Sequence, residues 1–221
     1  AVQYGLQAAV ALGILVAGMM ASHKLQIPLV SDFRDDWTTS SALFRRNEPA
    51  RLAKERQLEQ KVLGASAAVV TVTPGIVEAL KRRSPYPDRV HFLPNGFDPA
   101  HYPKGPDQKS SAGAGTMLLC HTGGIYQHRS PEPVFRLMER LSQSRPDLKV
   151  VARFMGRVDR DSQHHFESTR PGTVENLGFC NHTQVRQALM NSDLNLLILE
   201  RVERAEWLYT GKVFDYLGAG R

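Results

Sequence analysis

"TMLLCHTGGIYQHRSPEPVFRLMERL", residues 116–141, sets three local patterns in a row. Residues 116–120 are a short apolar run that predicts a buried strand, and Gly123 and Gly124 follow it closely. Ser130 stands where a helix N-cap is wanted and Pro131 where the first helical position is wanted. Val134, Leu137, Met138 and Leu141 then recur at helical spacing, so a helix is predicted over 131–143. Glycines admit a ligand close to the backbone, a helix start presents N–H groups and partial positive charge, and Arg129 adds a full charge. An anion, most of all a phosphate, suits that place. The same unit also serves an α/β protein as a plain turn, and these residues by themselves leave both readings open.

On either side the same alternation is legible. Before it stand a helix over about 3–22, a strand "IPLVSDF" (27–33), a charged loop, a helix over 48–65, a strand "AAVVTVT" (67–73), a helix over 74–83 begun by Thr73 and Pro74, and a strand "RVHFLPN" (89–95). Residues 96–116 are rich in Gly, Pro, Ser and Ala and read as a linker. After the glycine turn come a strand "KVVARFMG" (149–156), an irregular polar stretch, a strand "TVENLGF" (173–179), a helix over 183–191, a strand "DLNLLIL" (193–199) and a helix over 211–219. The expected class is α/β with two Rossmann-like domains. The first covers 1–103, a linker 104–115, and the second 116–221, with a ligand cleft outside the carboxyl ends of the parallel strands.

The 221 residues are 42% hydrophobic and 23% charged, ordinary for a folded protein, and the net charge of +6 favours an anionic partner. Cys120 and Cys180 lie far apart with no CxxC, so neither a disulfide framework nor a zinc site is indicated, and a reducing compartment fits. His164-His165 has no partner ligands at metal spacing, and Asp159-Arg160-Asp161 is formally a DxD but sits in the polar stretch. The apolar start up to Ala21 raises a membrane span or signal sequence; Gln3, Gln7 and the absent basic segment favour a buried helix instead. Both ends read as cut. "RRNEPARLAKERQLEQK" (45–61) mixes six cations with Glu48, Glu55 and Glu59 and reads as a solvated helix face, or as a patch that approaches anionic lipid.

Taken in order, "IPLVSDFRDDW", "VVTVTPGIVEAL", "VHFLPNGFD", "HTGGIYQHRSP", "FMGR", "LGFCNH", "DLNLLIL" and "TGKVFDYLGAG" resemble the GT-B glycosyltransferases of the large retaining group called family 4 or group 1. The resemblance runs from about residue 27 to the end. It implies that the chain holds the later part of an acceptor-side domain and a truncated nucleotide-sugar domain. It also implies a nucleoside-diphosphate sugar as donor, a glycan or lipid-linked acceptor, retention of configuration, and a role in cell-surface polysaccharide assembly. No obligatory metal or other cofactor and no nucleic acid are expected, and the expected location is cytoplasmic, with peripheral contact at the inner face of the membrane.

Carried over by position, the resemblance implies that Gly123, Gly124 and Arg129 grip the donor diphosphate together with Thr210, Gly211 and Lys212, and that Asp215 accepts from ribose. Gly156, Arg157 and Phe179 fall where phosphate and base are held. Asp32, Arg34 and Asp35 fall where the acceptor or the transferred sugar is positioned; an ion pair between Asp32 and Arg34 is the plainer reading of two of them. Two departures stand out: Gly124 occupies a place often held by a cation, and Trp207 lies eight residues before Asp215, where a first glutamate is usual. A nucleotide-sugar 2-epimerase and a catalytically silent nucleotide-binding module are the rival expectations.

Overall fold

Thr73 begins one helix by a mechanism visible in the sequence: its backbone is extended (φ −137°, ψ 148°) and its hydroxyl accepts from the Ile76 amide at 3.3 Å, with proline next. The other elements follow from similar local rules. The computed structural model describes residues 2–38, 49–102, 113–126, 129–170, 172–199, 207 and 209–221, with side chains from residue 13 onward. The expected linker falls mostly outside the described residues.

The chain divides into one unit of Ala1–Asn95 with Val202–Tyr209, and a second of Gly96–Arg201 with Thr210–Arg221. In the first, helix α1 (Val2–Leu25), strand β1 (Val30–Phe33), α2 (Pro49–Ala65), β2 (Ala68–Thr71), α3 (Pro74–Arg83) and β3 (Val90–Phe92) form a parallel sheet ordered β1-β2-β3. Its core gathers Phe33, Trp37, Val62, Leu63, Val69, Ile76 and Leu80, with Leu15, Val16 and Met19 of α1 packed on it. The expected buried helix is corrected: over its described side chains α1 rests on that core by one side only, and Ile14, Met20 and Leu25 are exposed. Among the described residues no helix is long and apolar enough to cross a membrane.

Over its described residues the stretch 45–61 is a solvated face, with Arg51, Lys54, Arg56 and Lys61 exposed, except at Glu59. Glu59 is fully buried, accepts from Thr38 at 2.9 Å and lies 2.9 Å from the Arg83 guanidinium, which also meets Asp36 at 2.5 Å. Burial raises the Glu59 pKa against the pull of Arg83. Residues 45–48 lie outside the described residues.

The second unit runs β4 (Thr116–Thr122), α4 (Glu132–Ser144), β5 (Lys149–Met155), α5 (Arg160–Glu167), β6 (Val174–Asn176), α6 (His182–Asn191), β7 (Leu194–Asn195) and α7 (Gly211–Ala219). Its strands are parallel in the order β6-β5-β4-β7. Successive side chains of β4 serve opposite faces. Leu119 packs with Met138, Phe154 and the rings of Phe135 and Phe166, and Cys120 with Leu189 and Tyr216. Covering on both faces explains why β4 reads as a continuous apolar run.

Helix α4 begins one residue later than expected. Pro131 is already helical in conformation and the Ser130 hydroxyl accepts from the Glu132 amide at 3.2 Å. The stretch read as irregular is helix α5: Asp159 caps it, accepting from the Ser162 amide at 2.8 Å, which gives the first carboxylate of the formal DxD a structural use. Phe97 and Tyr102, read from sequence as the end of the first domain, belong to the second unit and pack against Gly218 of α7.

Candidate functional site

The strand order makes β4 the point where the sheet reverses: β5 and β6 extend to one side and β7 returns on the other. Open parallel sheets bind ligands outside the carboxyl ends of their strands at such a point. There the loops after β4, β5 and β6 lie side by side. The Gly123 amide donates to the Met155 carbonyl at 2.8 Å, Ile125 to Arg157 at 2.9 Å, and Gly156 to Gly178 at 2.7 Å. Gly123 has φ +119°, and a β-carbon on it would overlap the Lys212 ammonium. A β-carbon on Gly156 would run into the Gly123 carbonyl. Only the missing side chains at Gly123 and Gly156 allow the β4 loop to come so close to Lys212 and to the β5 loop.

Lys212 lies in the first turn of α7, and that turn is held by Tyr216 one turn later. The Tyr216 side chain is buried, and its hydroxyl donates to the Leu196 carbonyl at 3.0 Å and lies 3.4 Å from the Thr122 amide and hydroxyl. Burial first, and then the charge of Arg129, lower the Lys212 pKa to about 8. None of the ion pairs among the described residues gives Lys212 a carboxylate. Arg129 stacks on the Tyr126 ring at 4.8 Å.

Two buried polar atoms lie in the same neighbourhood. Thr210, the N-cap residue of α7, makes no side-chain cap, and its Oγ1 is buried without a hydrogen-bond partner among the described residues. His121, fully buried at the end of β4, donates from Nδ1 to the Leu196 carbonyl at 2.9 Å, which leaves Nε2 as an acceptor with no partner among the described residues. Burial drives the His121 pKa down to about 4. The bond to Leu196 opposes the shift, and the charges of Lys212 and Arg129 add to it.

Of the positions the sequence singled out, Gly123 lies against both Gly156 and Lys212, and Thr210 and Gly211 begin the helix that carries Lys212. A β-carbon on Gly124 would lie 3.5 Å from the Tyr126 ring and 3.6 Å from the Arg157 carbonyl. Arg157 joins the loop stack through that carbonyl, and its side chain is exposed. Phe179 is 78% exposed. Asp215 is a hydrogen-bond acceptor, taking the Tyr102 hydroxyl at 2.7 Å.

In the first unit Arg34 donates to Asp32 at 2.8 Å and also bonds Asn95, so the plainer ion-pair reading describes the geometry of this exposed group. Asp35 is exposed, whereas Asp36 and Trp37 turn inward. Sequence reasoning missed His121, Tyr102 and Tyr216. Only Tyr216 carried a usable signal, its spacing of four from Lys212.

The architecture defines a class. Two parallel α/β units with a glycine turn at the reversal point of the second have the fold of the GT-B glycosyltransferases. The chain aligns with HepE of Anabaena in complex with UDP and glucose at a TM-score of 0.64 and 18% identity, over 95% of this chain and 56% of that one. With HepE in complex with UDP-glucose the values are 0.63, 17%, 95% and 56%. With WaaG, a glycosyltransferase involved in lipopolysaccharide biosynthesis, they are 0.60, 17%, 87% and 55%.

Within that class, residues 6–96 match the family model of the glycosyl transferase 4-like domain. No curated protein matches the sequence. The chain spans a little over half the length of the HepE and WaaG structures it matches.

Proposed function

We propose that the chain is a fragment of a glycosyltransferase that moves a sugar from a nucleoside-diphosphate sugar to a glycan or lipid-linked acceptor, with retention, in cell-surface polysaccharide assembly. The observation that carries this reading is Lys212, a cation held against the Gly123 turn beside Arg129 with its pKa drawn down to about 8. A cation costs least there when an anion sits with it, and a diphosphate supplies one. UDP and UDP-glucose in the HepE complexes support a nucleotide sugar as that anion.

Cleavage of the donor develops negative charge on the leaving phosphate. Gly123, Gly124, Arg129 and the α7 start at Thr210, Gly211 and Lys212 are placed to stabilise it by fixed charge and N–H groups, so the proposal assigns no metal to the step. Gly156, Arg157 and Phe179 are assigned to phosphate and base, and Asp215 to ribose. The exposed Asp32, Arg34 and Asp35 are assigned to the acceptor or the transferred sugar. The basic α2 surface is assigned to peripheral contact with anionic lipid on the cytoplasmic face.

The test is calorimetric titration of the full-length protein with UDP, GDP, ADP and dTDP, beside Arg129→Ala and Lys212→Ala. One nucleotide is expected to bind tightly and to weaken about tenfold or more with either change, the effect of losing one charge-assisted hydrogen bond. Binding untouched by both variants would sink the assignment. A module that binds nucleotide without turnover has one observation in its favour: Trp207, at the place of the usual first glutamate, packs on Gly75 in the first unit. Release of sugar from the bound donor by the full-length protein separates that reading from the transferase.

A further inference from the structure

Asp215 does not stand alone on α7. The Tyr102 hydroxyl donates to its Oδ1 at 2.7 Å, and Tyr102 is itself 6% exposed. The ring is fixed from two sides. It meets Phe97 edge-to-face at 5.8 Å between centroids, and both rings press on Gly218, where any β-carbon would lie 2.7 Å from the Tyr102 ring and 2.8 Å from that of Phe97. A short turn over Pro99–His101, closed by the Asp98 carboxylate on the Ala100 amide at 2.9 Å, joins the two rings. The segment is thus a strap seated against α7 at Gly218 that ends in one hydroxyl directed at one carboxylate oxygen.

We propose that Tyr102 is a positioning residue for nucleotide recognition, holding the Asp215 carboxylate so that its remaining acceptor capacity is directed at a ribose hydroxyl. The assignment rests on the reading of Asp215 given above. A carboxylate has about four acceptor directions, and a donor locked on Oδ1 fixes the rotation of the group and leaves Oδ2 for a ligand. Burial and the Asp215 charge keep the Tyr102 phenol protonated, so it remains a donor. Pre-orienting a ligand-binding group removes an ordering cost that binding would otherwise carry.

The test uses the full-length protein, the nucleoside diphosphate it binds most tightly among UDP, GDP and ADP, and the 2′-deoxy and 3′-deoxy forms of that nucleotide. Tyr102→Phe keeps the ring on Gly218 and removes only the hydroxyl. It is expected to shrink the preference for the ribonucleotide over at least one deoxy form by about three- to tenfold, with a melting transition like that of the parent. Asp215→Asn is the companion variant. If it collapses the preference and Tyr102→Phe leaves it at the parent value, Tyr102 is a packing residue and the inference fails while the ribose reading stands. If Asp215→Asn leaves the preference intact, or no nucleotide binds, the ribose reading fails and takes the inference with it.

Discussion

Lys212 and His121 are two basic groups whose pKa values the fold pulls down, and each makes a pH prediction of definite sign. For Lys212 the bound diphosphate favours the ammonium, while the free protein holds it near pKa 8 against an ordinary 10.5. Below pH 8 the charge is present and affinity is flat. Above it each molecule must first take up a proton, so the dissociation constant is expected to rise up to tenfold per pH unit until about pH 10, and Lys212→Met to abolish that slope in calorimetry. For His121 the folded pKa near 4 lies below the ordinary 6.5. The unfolded chain therefore binds the proton first, and stability present above pH 6.5 is lost as pH falls toward 4. The loss is on the order of 3 kcal/mol. Denaturant melts across that range are expected to show a shallower decline for His121→Asn, whose amide can keep a donor toward Leu196.

At the level of elements, α2 and α3 are joined by one guanidinium serving two buried carboxylates. Asp36 Oδ2 has no hydrogen-bond partner among the described residues, and Glu59 is raised by its burial. Removing the cation strands both acids: Arg83→Met is expected to cost about 3 kcal/mol or more in a urea melt, while Glu59→Gln, which keeps polar contacts and sheds the burial penalty, changes stability by less than about 1 kcal/mol. Nothing in the sequence of α2 announces this, because the partner of Glu59 lies 24 residues away. What was legible was local. The Thr73 cap, the apolar run of β4 and the 3.6-residue spacing in α4 are each written within a few residues. Helix α5 was not, because its one core residue, Phe166, gives no periodicity to read. At the site the same division holds. The turn at Gly123 was readable, whereas the contacts of Lys212 with Gly123 and of Tyr102 with Asp215 depend on which elements the sheet order brings together.

At the scale of the whole chain, the first unit takes in a segment distant in sequence. Residues Val202–Tyr209 belong to it, although the second unit supplies what comes just before and after them. Trp207 lies in that segment: its indole lies on Gly75 at the start of α3 and joins the first core. Trp207→Ala is expected to lower stability by about 2 kcal/mol, less than for a fully buried tryptophan, with the loss read in a thermal melt followed by the fluorescence of the remaining Trp37. Gly75→Ala is expected to act in the same direction, since its methyl group would occupy the place of the indole. This path also has a meaning for biosynthesis. The ribosome delivers Trp207 roughly 130 residues after Gly75, a delay on the order of ten seconds at ordinary elongation rates. Through that interval the nascent first unit keeps an apolar socket open at α3, and the indole that fills it arrives only after residues 96–201 of the second unit have been translated.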